Sequence, residues 1–111
     1  MNVVTKLENH TLVRPNLGAI FISYNNVEAL SQYGIIPGDI AGVVVAEVTE
    51  QYPLNMAGLI KGDIITKINN IEIANVDKLQ KEIYSYNIND SVNIEYFRNG
   101  IYNNVDVLLD K

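Results

Sequence analysis

The sequence predicts a small domain in which β-strands outnumber helices, and three patterns carry this prediction. A glycine followed by the most β-prone run of the chain occupies residues 40–48. Ile64–Ile68 is rich in β-branched residues and has turn residues on both sides. Asn99-Gly100, the strongest short hairpin signal, separates two further apolar segments. Because 111 residues suit one domain, these strands are expected to share one core.

The first half of the chain predicts a strand, a short helix and a second strand. Residues 1–11 are mixed, with an apolar spacing at Val3, Val4 and Leu7 that indicates the tail of a helix. A strand is expected after Pro15, and a short helix within residues 25–34. The second strand should place Val43, Val45 and Glu47 on one face and Val44, Ala46 and Val48 on the other.

The second half predicts a short helix, two strands, a longer helix and a hairpin. The short helix begins near Pro53 and ends at Gly58. Ile64–Ile68 should be buried scaffold, followed by a short strand at residues 71–73. Asn75 is a good N-cap for a helix over residues 76–86. Its apolar stripe is Val76, Leu79, Ile83 and Tyr86, and the last strand should turn Val105, Val107 and Leu109 inward.

The composition fits a folded protein and disfavours several classes of partner. Hydrophobic residues make up 48% of the chain and charged residues 19%, which argues against disorder. A net charge of −5 makes nucleic acid or an anionic membrane surface an unfavourable partner. No apolar run approaches the roughly 20 residues of a membrane helix, so no direct membrane insertion is expected. A start without targeting signals fits a fragment of a longer protein.

Catalytic and metal-binding patterns are weak in this sequence. Cysteine is absent and His10 is the single histidine, so neither a thiolate site nor a histidine-rich zinc site is expected. No serine lies in a Gly-x-Ser-x-Gly or Gly-Asn-Ser-Gly-Gly pattern, and His10 lies in what reads as a linker. Residues 87–90 lack the glycine and terminal glutamate of a calcium loop. The chain is therefore expected to have no cofactor and no catalytic triad.

Residues 57–70, here called the signature segment, resemble the core signature of PDZ domains. From residue 57 the pattern is small-Gly-Leu-x-x-Gly-Asp-x-Ile-x-x-x-Asn, and it is similar to the bacterial PDZ domains attached to HtrA/Do-type serine proteases. Upstream, the junction between protease and PDZ domain in that family is matched by Val13, Arg14, Pro15, Leu17 and Gly18. Two turns depart from the family pattern: Gln51-Tyr52-Pro53-Leu54 replaces Gly-Ser-Pro-Ala, and Asn70 replaces a glycine.

The resemblance implies an arrangement and a setting. The fold would be mainly β with two short-to-medium helices, a partly open β-barrel or sandwich of five to six strands capped by the helices. Residues 1–13 would be the linker or the tail of a preceding helix, and residues 14–111 the PDZ domain. The parent would be an HtrA-type serine endopeptidase in protein quality control, located outside the cytoplasm in the bacterial cell envelope and anchored through the parent protein.

The resemblance also implies a binding mechanism in which an extended peptide adds a strand to a sheet edge and a backbone nest holds its terminal carboxylate. Partners would be peptides or unfolded proteins with apolar C-termini. Val76 stands where a PDZ subclass that prefers Ser/Thr carries histidine, so an apolar preference is expected. Carried over by position, the carboxylate loop is Ile40, Ala41, Gly42 and Val43, and the groove is Val44, Val45, Val76, Leu79, Gln80 and Ile83.

Two alternatives remain open at this point. The domain would also fit another membrane-associated protease or a secretion protein. A third hypothesis is a purely structural or oligomerisation module, because a valine-rich strand and an apolar helix stripe are what any core requires. Peptide binding separates the third hypothesis from the others.

Overall fold

The computed structural model describes residues 15–110, which form six strands and three helices in one domain. The predicted helical tail at Val3, Val4 and Leu7, the boundary at residue 13, His10 and Arg14 lie outside the described residues. The elements are β1 (Ala19–Ser23), α1 (Val27–Gln32), β2 (Val43–Val48), α2 (Pro53–Ala57), β3 (Ile64–Ile68), β4 (Ile71–Glu72), α3 (Val76–Tyr84), β5 (Ser91–Arg98) and β6 (Ile101–Leu108). The mainly β class is confirmed, with three short helices. None of the helices within residues 15–110 is long and apolar enough to cross a membrane.

All six strands belong to one antiparallel sheet whose strand order differs from the chain order. The order is β1-β2-β3-β5-β6, and β4 pairs with β3 beside this path. A bulge interrupts the β1–β2 pair, because Ile20 faces Glu47 while Phe21 faces Val45 and leaves Ala46 without a partner on β1. Within residues 15–110 the sheet therefore ends in β1 on one side and β6 on the other.

Both faces of β2 are buried along its first four residues. Val43 and Val45 lie in the main core cluster and are fully buried. Val44 and Ala46 point to the opposite face, where Leu30 of α1 covers them. Residues 43–46 are all apolar, which is typical of a strand segment that is buried on both sides. Helix α1 is thus the element that closes the second face.

The signature segment forms the turn and the central strand, as predicted. Gly58 ends α2 in a left-handed conformation (φ +97°). Ile65 and Ile68 of β3 are fully buried between β2 and β5. The β3–β4 turn uses Asn69 (φ +49°) and Asn70 (φ +68°), and asparagine is among the residues that adopt a positive φ most readily after glycine. The segment is scaffold.

A hydrogen-bonded chain fastens the region after α3 to the sheet. The hydroxyl of Tyr86 donates to Glu82 Oε2 of α3 (3.0 Å) and accepts from Nδ2 of Asn69 (2.7 Å). Asn69 in turn exchanges two hydrogen bonds with the backbone of Asn93 on β5, at 2.7 Å each. The C-terminal end of α3 is therefore tied to the β3–β4 turn and, through it, to β5.

Replacing Tyr86 with phenylalanine is expected to lower the free energy of unfolding by about 1 kcal/mol at neutral pH, because Asn69 and Glu82 lose their shared partner. Burial raises the pKa of Tyr86 above its ordinary value of 10.0, and Glu82 adds to the rise although the bond from Asn69 opposes it. Since the folded state holds the proton more tightly than the unfolded state, this stabilisation is complete below pH 10 and is lost as pH rises through the higher folded pKa. Urea unfolding from pH 7 to 11.5 should show that this alkaline loss is smaller in Tyr86→Phe. Tyr102→Phe, at an exposed tyrosine, should keep the wild-type profile.

Candidate functional site

The strand that was predicted to receive a peptide has no free edge. Val43 and Val44 of β2 pair with β1 on one side and with β3 on the other. One residue further, the N–H of Val45 donates to the carbonyl of Asp63 (2.8 Å), and the carbonyl of Val45 accepts from the N–H of Gly62 (2.8 Å). The prediction that Val43, Val44 and Val45 form the ligand strand is wrong, because their backbone groups already serve the sheet and their side chains the core.

The predicted carboxylate loop is also misplaced. A Cβ on Gly42 would lie 2.5 Å from the carbonyl oxygen of Ile65, so this glycine allows β2 to approach β3 closely. Its own carbonyl accepts from the N–H of Tyr24 (3.0 Å). Ile40 and Ala41 line a separate cavity of 580 Å³ next to β3, β4 and β5. None of residues 40–43 borders the cavity that Leu79, Gln80 and Ile83 of α3 line.

The predicted helix residues do line a groove, but its other wall is β1. Leu79, Gln80 and Ile83 border a cavity of 280 Å³ together with Ala19 and Phe21. Leu17, in the loop before β1, closes its end beside Pro15 and Asn16. The structure thus brings together the α3 half of the predicted site and a strand that the sequence reasoning did not assign to it.

The N-terminal end of α3 is attached to the far end of the same strand. The backbone N–H of Val76, the fourth predicted helix residue, donates to Oγ of Ser23 (3.1 Å). Val76 itself is half-buried at the edge of the main core. The groove therefore runs from the loop at Leu17 to the contact between Ser23 and Val76.

The hydrogen-bond pattern shows in which direction the backbone N–H and C=O groups at the two ends of β1 point. The carbonyl of Gly18 accepts from the N–H of Thr49 (2.8 Å), just outside the pair of Ala19 with β2. The N–H of Tyr24 likewise bonds to the chain leading into β2, just outside the pair made by Ser23. In an antiparallel ladder this places Ala19 and Ser23 in non-hydrogen-bonded pairs. Their own N–H and C=O groups consequently point away from β2.

The backbone N–H and C=O groups of Phe21 also point away from β2, in spite of the bulge. Its partner on β2 is Val45, whose N–H and C=O are both bonded on the β3 side. No ladder bond is left between the backbones of Phe21 and Val45. Within the described residues, Ala19 and Phe21 thus present donors and acceptors along the outer edge of β1, as an added strand requires. The N–H of Ser23 points outward as well, whereas its carbonyl already accepts from the N–H of Asn26 (3.0 Å) in the turn after β1.

The loop before β1 directs two N–H groups into the end of the groove. The carbonyl of Leu17 accepts from the N–H of Leu54 (3.2 Å), and that of Gly18 from Thr49, so both carbonyls point into the domain. In a trans peptide unit the N–H points opposite to the C=O. The N–H groups of Gly18 and Ala19 therefore point outward together, an arrangement that binds anionic oxygen.

Gly18 is required for this geometry. Its φ is +73°, and a Cβ added to it would overlap Cβ of Tyr52. The bend that turns both carbonyls inward thus depends on a residue without a side chain. Asn16 already uses one of the outward donors, since its Oδ1 accepts from the N–H of Gly18 (2.8 Å).

The sequence contained a signal for this loop that the sequence reasoning used only for the domain boundary. An apolar or small residue flanks glycine twice, at Leu17-Gly18-Ala19 and at Ala41-Gly42-Val43. The two patterns are equivalent locally. Only the strand order, in which β1 is at the edge and β2 is inside, distinguishes them.

Comparison with protein families and curated proteins gives consistent matches. A family model described as "PDZ domain" matches residues 15–109. The whole chain is 36% identical over 114 residues to the "Serine protease Do-like HtrA" of Lactococcus lactis subsp. lactis (strain IL1403), and 34% identical to the protein of the same name from L. lactis subsp. cremoris (strain MG1363). The chain spans 28% of the length of each of these relatives.

Solved structures with the same fold include complexes with peptides. The "HtrA-type protease AlgW with decapeptide" superposes with a TM-score of 0.72 at 26% identity, over 86% of this chain and 28% of that one. The "HtrA3 PDZ domain bound to a phage-derived ligand (FGRWV)" superposes with a TM-score of 0.69 at 19% identity, over 86% of this chain and 84% of that one. The second likeness is one of fold alone.

Proposed function

The chain belongs to the PDZ domain family, and we propose that it captures the C-terminal ends of peptides or unfolded chains by adding them as a strand to β1. The ligand would lie antiparallel to β1, between this strand and α3. Its carboxylate would accept hydrogen bonds from the N–H groups of Gly18 and Ala19. This places the carboxylate loop at residues 17–19, in place of the predicted residues 40–43.

One observation carries the proposal, namely the outward backbone groups of Ala19, Phe21 and Ser23 on a sheet edge that faces a groove. Unpaired strand edges are sites where another chain can pair. Here the edge ends at a loop whose N–H groups can receive a negative charge. A chain end offers both partners at once, an extended backbone and a carboxylate.

The side chains of the groove support an apolar residue at the end of the ligand. Leu17, Leu79 and Ile83 form its base and are at least 96% buried. Gln80 and Tyr84 are exposed at its rim. An apolar base beneath a polar rim favours Val, Ile, Leu or Phe as the terminal residue, and Val76 at the other end favours an apolar residue two positions upstream.

The relatives suggest the setting in which this binding is used. Both Lactococcus relatives are named Do-like HtrA serine proteases, and the chain corresponds to a part of each. We propose that the domain recruits substrates to an attached serine protease, or regulates it, in the bacterial cell envelope outside the cytoplasm. A role as a structural or oligomerisation module would be indicated by an absence of peptide binding.

The direct experiment is an NMR titration of the domain with an eight-residue peptide that ends in valine, as the free acid and as the C-terminal amide. Amidation is expected to weaken binding about tenfold or more, because hydrogen bonds to a charged group are worth about 1.5–3 kcal/mol. The amide resonances of Ala19, Phe21 and Ser23 should shift most, and those of β6, at the opposite edge, should serve as the internal control.

Each alternative result has a definite meaning for this proposal. Equal affinity for the acid and the amide would exclude the carboxylate mechanism. Shifts centred on β6 would exclude β1 as the receiving strand. No binding of either peptide at millimolar concentration would favour the structural module.

A further inference from the structure

We propose that Asn16 is an affinity-determining residue of the groove, whose side-chain oxygen occupies the place of the ligand's carboxylate oxygen and must be displaced when a chain end binds. The inference rests on the proposed function. It concerns one hydrogen bond within the chain that blocks one of the two donors of the carboxylate loop.

The geometry of residues 16–18 carries the inference. Oδ1 of Asn16 lies 2.8 Å from the backbone nitrogen of Gly18 and accepts its hydrogen bond. The carbonyls of Leu17 and Gly18 are held on the opposite side by Leu54 and Thr49, so this N–H cannot turn toward another partner without breaking them. Asn16 also borders the groove cavity, together with Leu79 and Ile83. The contact therefore lies where a ligand's terminal oxygen would be bound.

The chemistry of the two oxygens determines which of them prevails. The amide oxygen of Asn16 is neutral, and as part of the same chain it binds without the entropy cost of association. A ligand carboxylate carries a full charge and makes a stronger bond to the same N–H. The carboxylate is thus able to replace the side chain, but its apparent affinity is lowered by the net strength of one neutral hydrogen bond, about three- to tenfold.

The competition affects only those ligands that need the N–H of Gly18. An amidated peptide that pairs with Ala19, Phe21 and Ser23 through its backbone leaves the Asn16 bond in place. Removing the side chain should therefore strengthen the binding of free chain ends and leave the binding of such peptides unchanged. This difference separates a competitor from a residue that merely supports the loop.

The test uses the valine-ended acid and amide peptides with three variants of the domain. Asn16→Ala should bind the free acid about three- to tenfold more tightly and the amide with wild-type affinity. Asn16→Asp, which places a charged oxygen against the same N–H, should bind the acid about tenfold more weakly. The matched control is Asn26→Ala, which also removes a side-chain acceptor of a backbone N–H (Ala29, 3.2 Å) but lies outside the groove, and it should change neither affinity.

The outcomes distinguish this inference from the proposed function. If the wild type prefers the acid and Asn16→Ala binds it equally or more weakly, the inference is overturned while the proposed function stands. If the acid and the amide bind alike in every protein, both are overturned. Hydrogen exchange of the peptide-free domain adds a readout independent of binding: the N–H of Gly18 should exchange severalfold faster in Asn16→Ala, and an unchanged rate would overturn the inference.

Discussion

Gly18→Ala should destabilise the domain by about 3 kcal/mol and abolish the preference for free-acid peptides. Two costs add at this position. The backbone is in the left-handed region (φ +73°), which costs a residue with a Cβ about 1–2 kcal/mol. The new methyl would also overlap Cβ of Tyr52, and relieving such overlap in a packed structure costs about 1–3 kcal/mol. Urea denaturation gives the first quantity and a peptide titration the second.

The matched control for this substitution is Gly34→Ala. Gly34 has nearly the same φ, +71°, but no atom of residues 15–110 lies within 4 Å of the position that a Cβ would take. It should therefore lose only the backbone cost, about 1 kcal/mol, and retain peptide binding. Equal losses in the two variants would show that the contact with Tyr52 is easily relieved, and that the bend at the loop does not depend on it.

Arg98→Met should lower the free energy of unfolding by about 3 kcal/mol, because it leaves a buried carboxylate without its cation. Asp63 is 1% exposed and accepts from Nε of Arg98 (2.7 Å) and from Nη2 (2.5 Å). The guanidinium also donates to the carbonyl of Gly58 (3.0 Å), so it joins β5 to the turn of the signature segment. The pair raises the pKa of Arg98, through its hydrogen bonds to Asp63 first, and the arginine remains charged throughout the accessible pH range.

The expected loss is at the lower end of the range for broken buried pairs, because the side chain of Arg98 is 30% exposed and water can approach the site. Lys61→Met provides the control, since it removes an exposed cation from the same turn and should change stability by less than about 0.5 kcal/mol. Thermal and urea unfolding of the two variants measure the difference. A loss below about 1 kcal/mol in Arg98→Met would mean that the bond from the N–H of Ile60 (2.9 Å) suffices to hold Asp63.

The buried ion pair also shows the limit of reading the signature segment alone. Gly62-Asp63 reads correctly as turn chemistry, but the burial of Asp63 depends on Arg98, 35 residues further along the chain. Nothing local to Asp63 indicates that its partner comes from the end of β5. The turn was predictable from its residues, whereas the reason for a carboxylate inside the domain was not.

The candidate site likewise has one part that was predictable from the sequence and one part that was not. Leu79, Gln80 and Ile83 were predicted from the helical spacing and the family resemblance, and they do line the groove. Residues 40–45 were assigned to it because Ala41-Gly42-Val43 matches the apolar-Gly-apolar pattern of the family's carboxylate loop and an apolar strand follows. A continuous apolar run is also what an interior strand needs, and β2 is such a strand. The edge strand β1 is less uniform, with Ile20 exposed by 42% and Ser23 at its end.

The sequence by itself determined the class of fold, the positions of the turns and the family, because these depend on short-range chemistry. Glycine at a positive φ, asparagine at a helix cap and apolar spacing along a helix act within a few residues of each other. Tertiary structure alone decided where the proposed peptide groove lies. A β-strand can accept a ligand only if one of its edges is unpaired, and whether an edge is paired depends on strands far away in the chain. With the order β1-β2-β3, that edge belongs to β1 among the described strands, so the proposed site lies at Leu17-Gly18-Ala19.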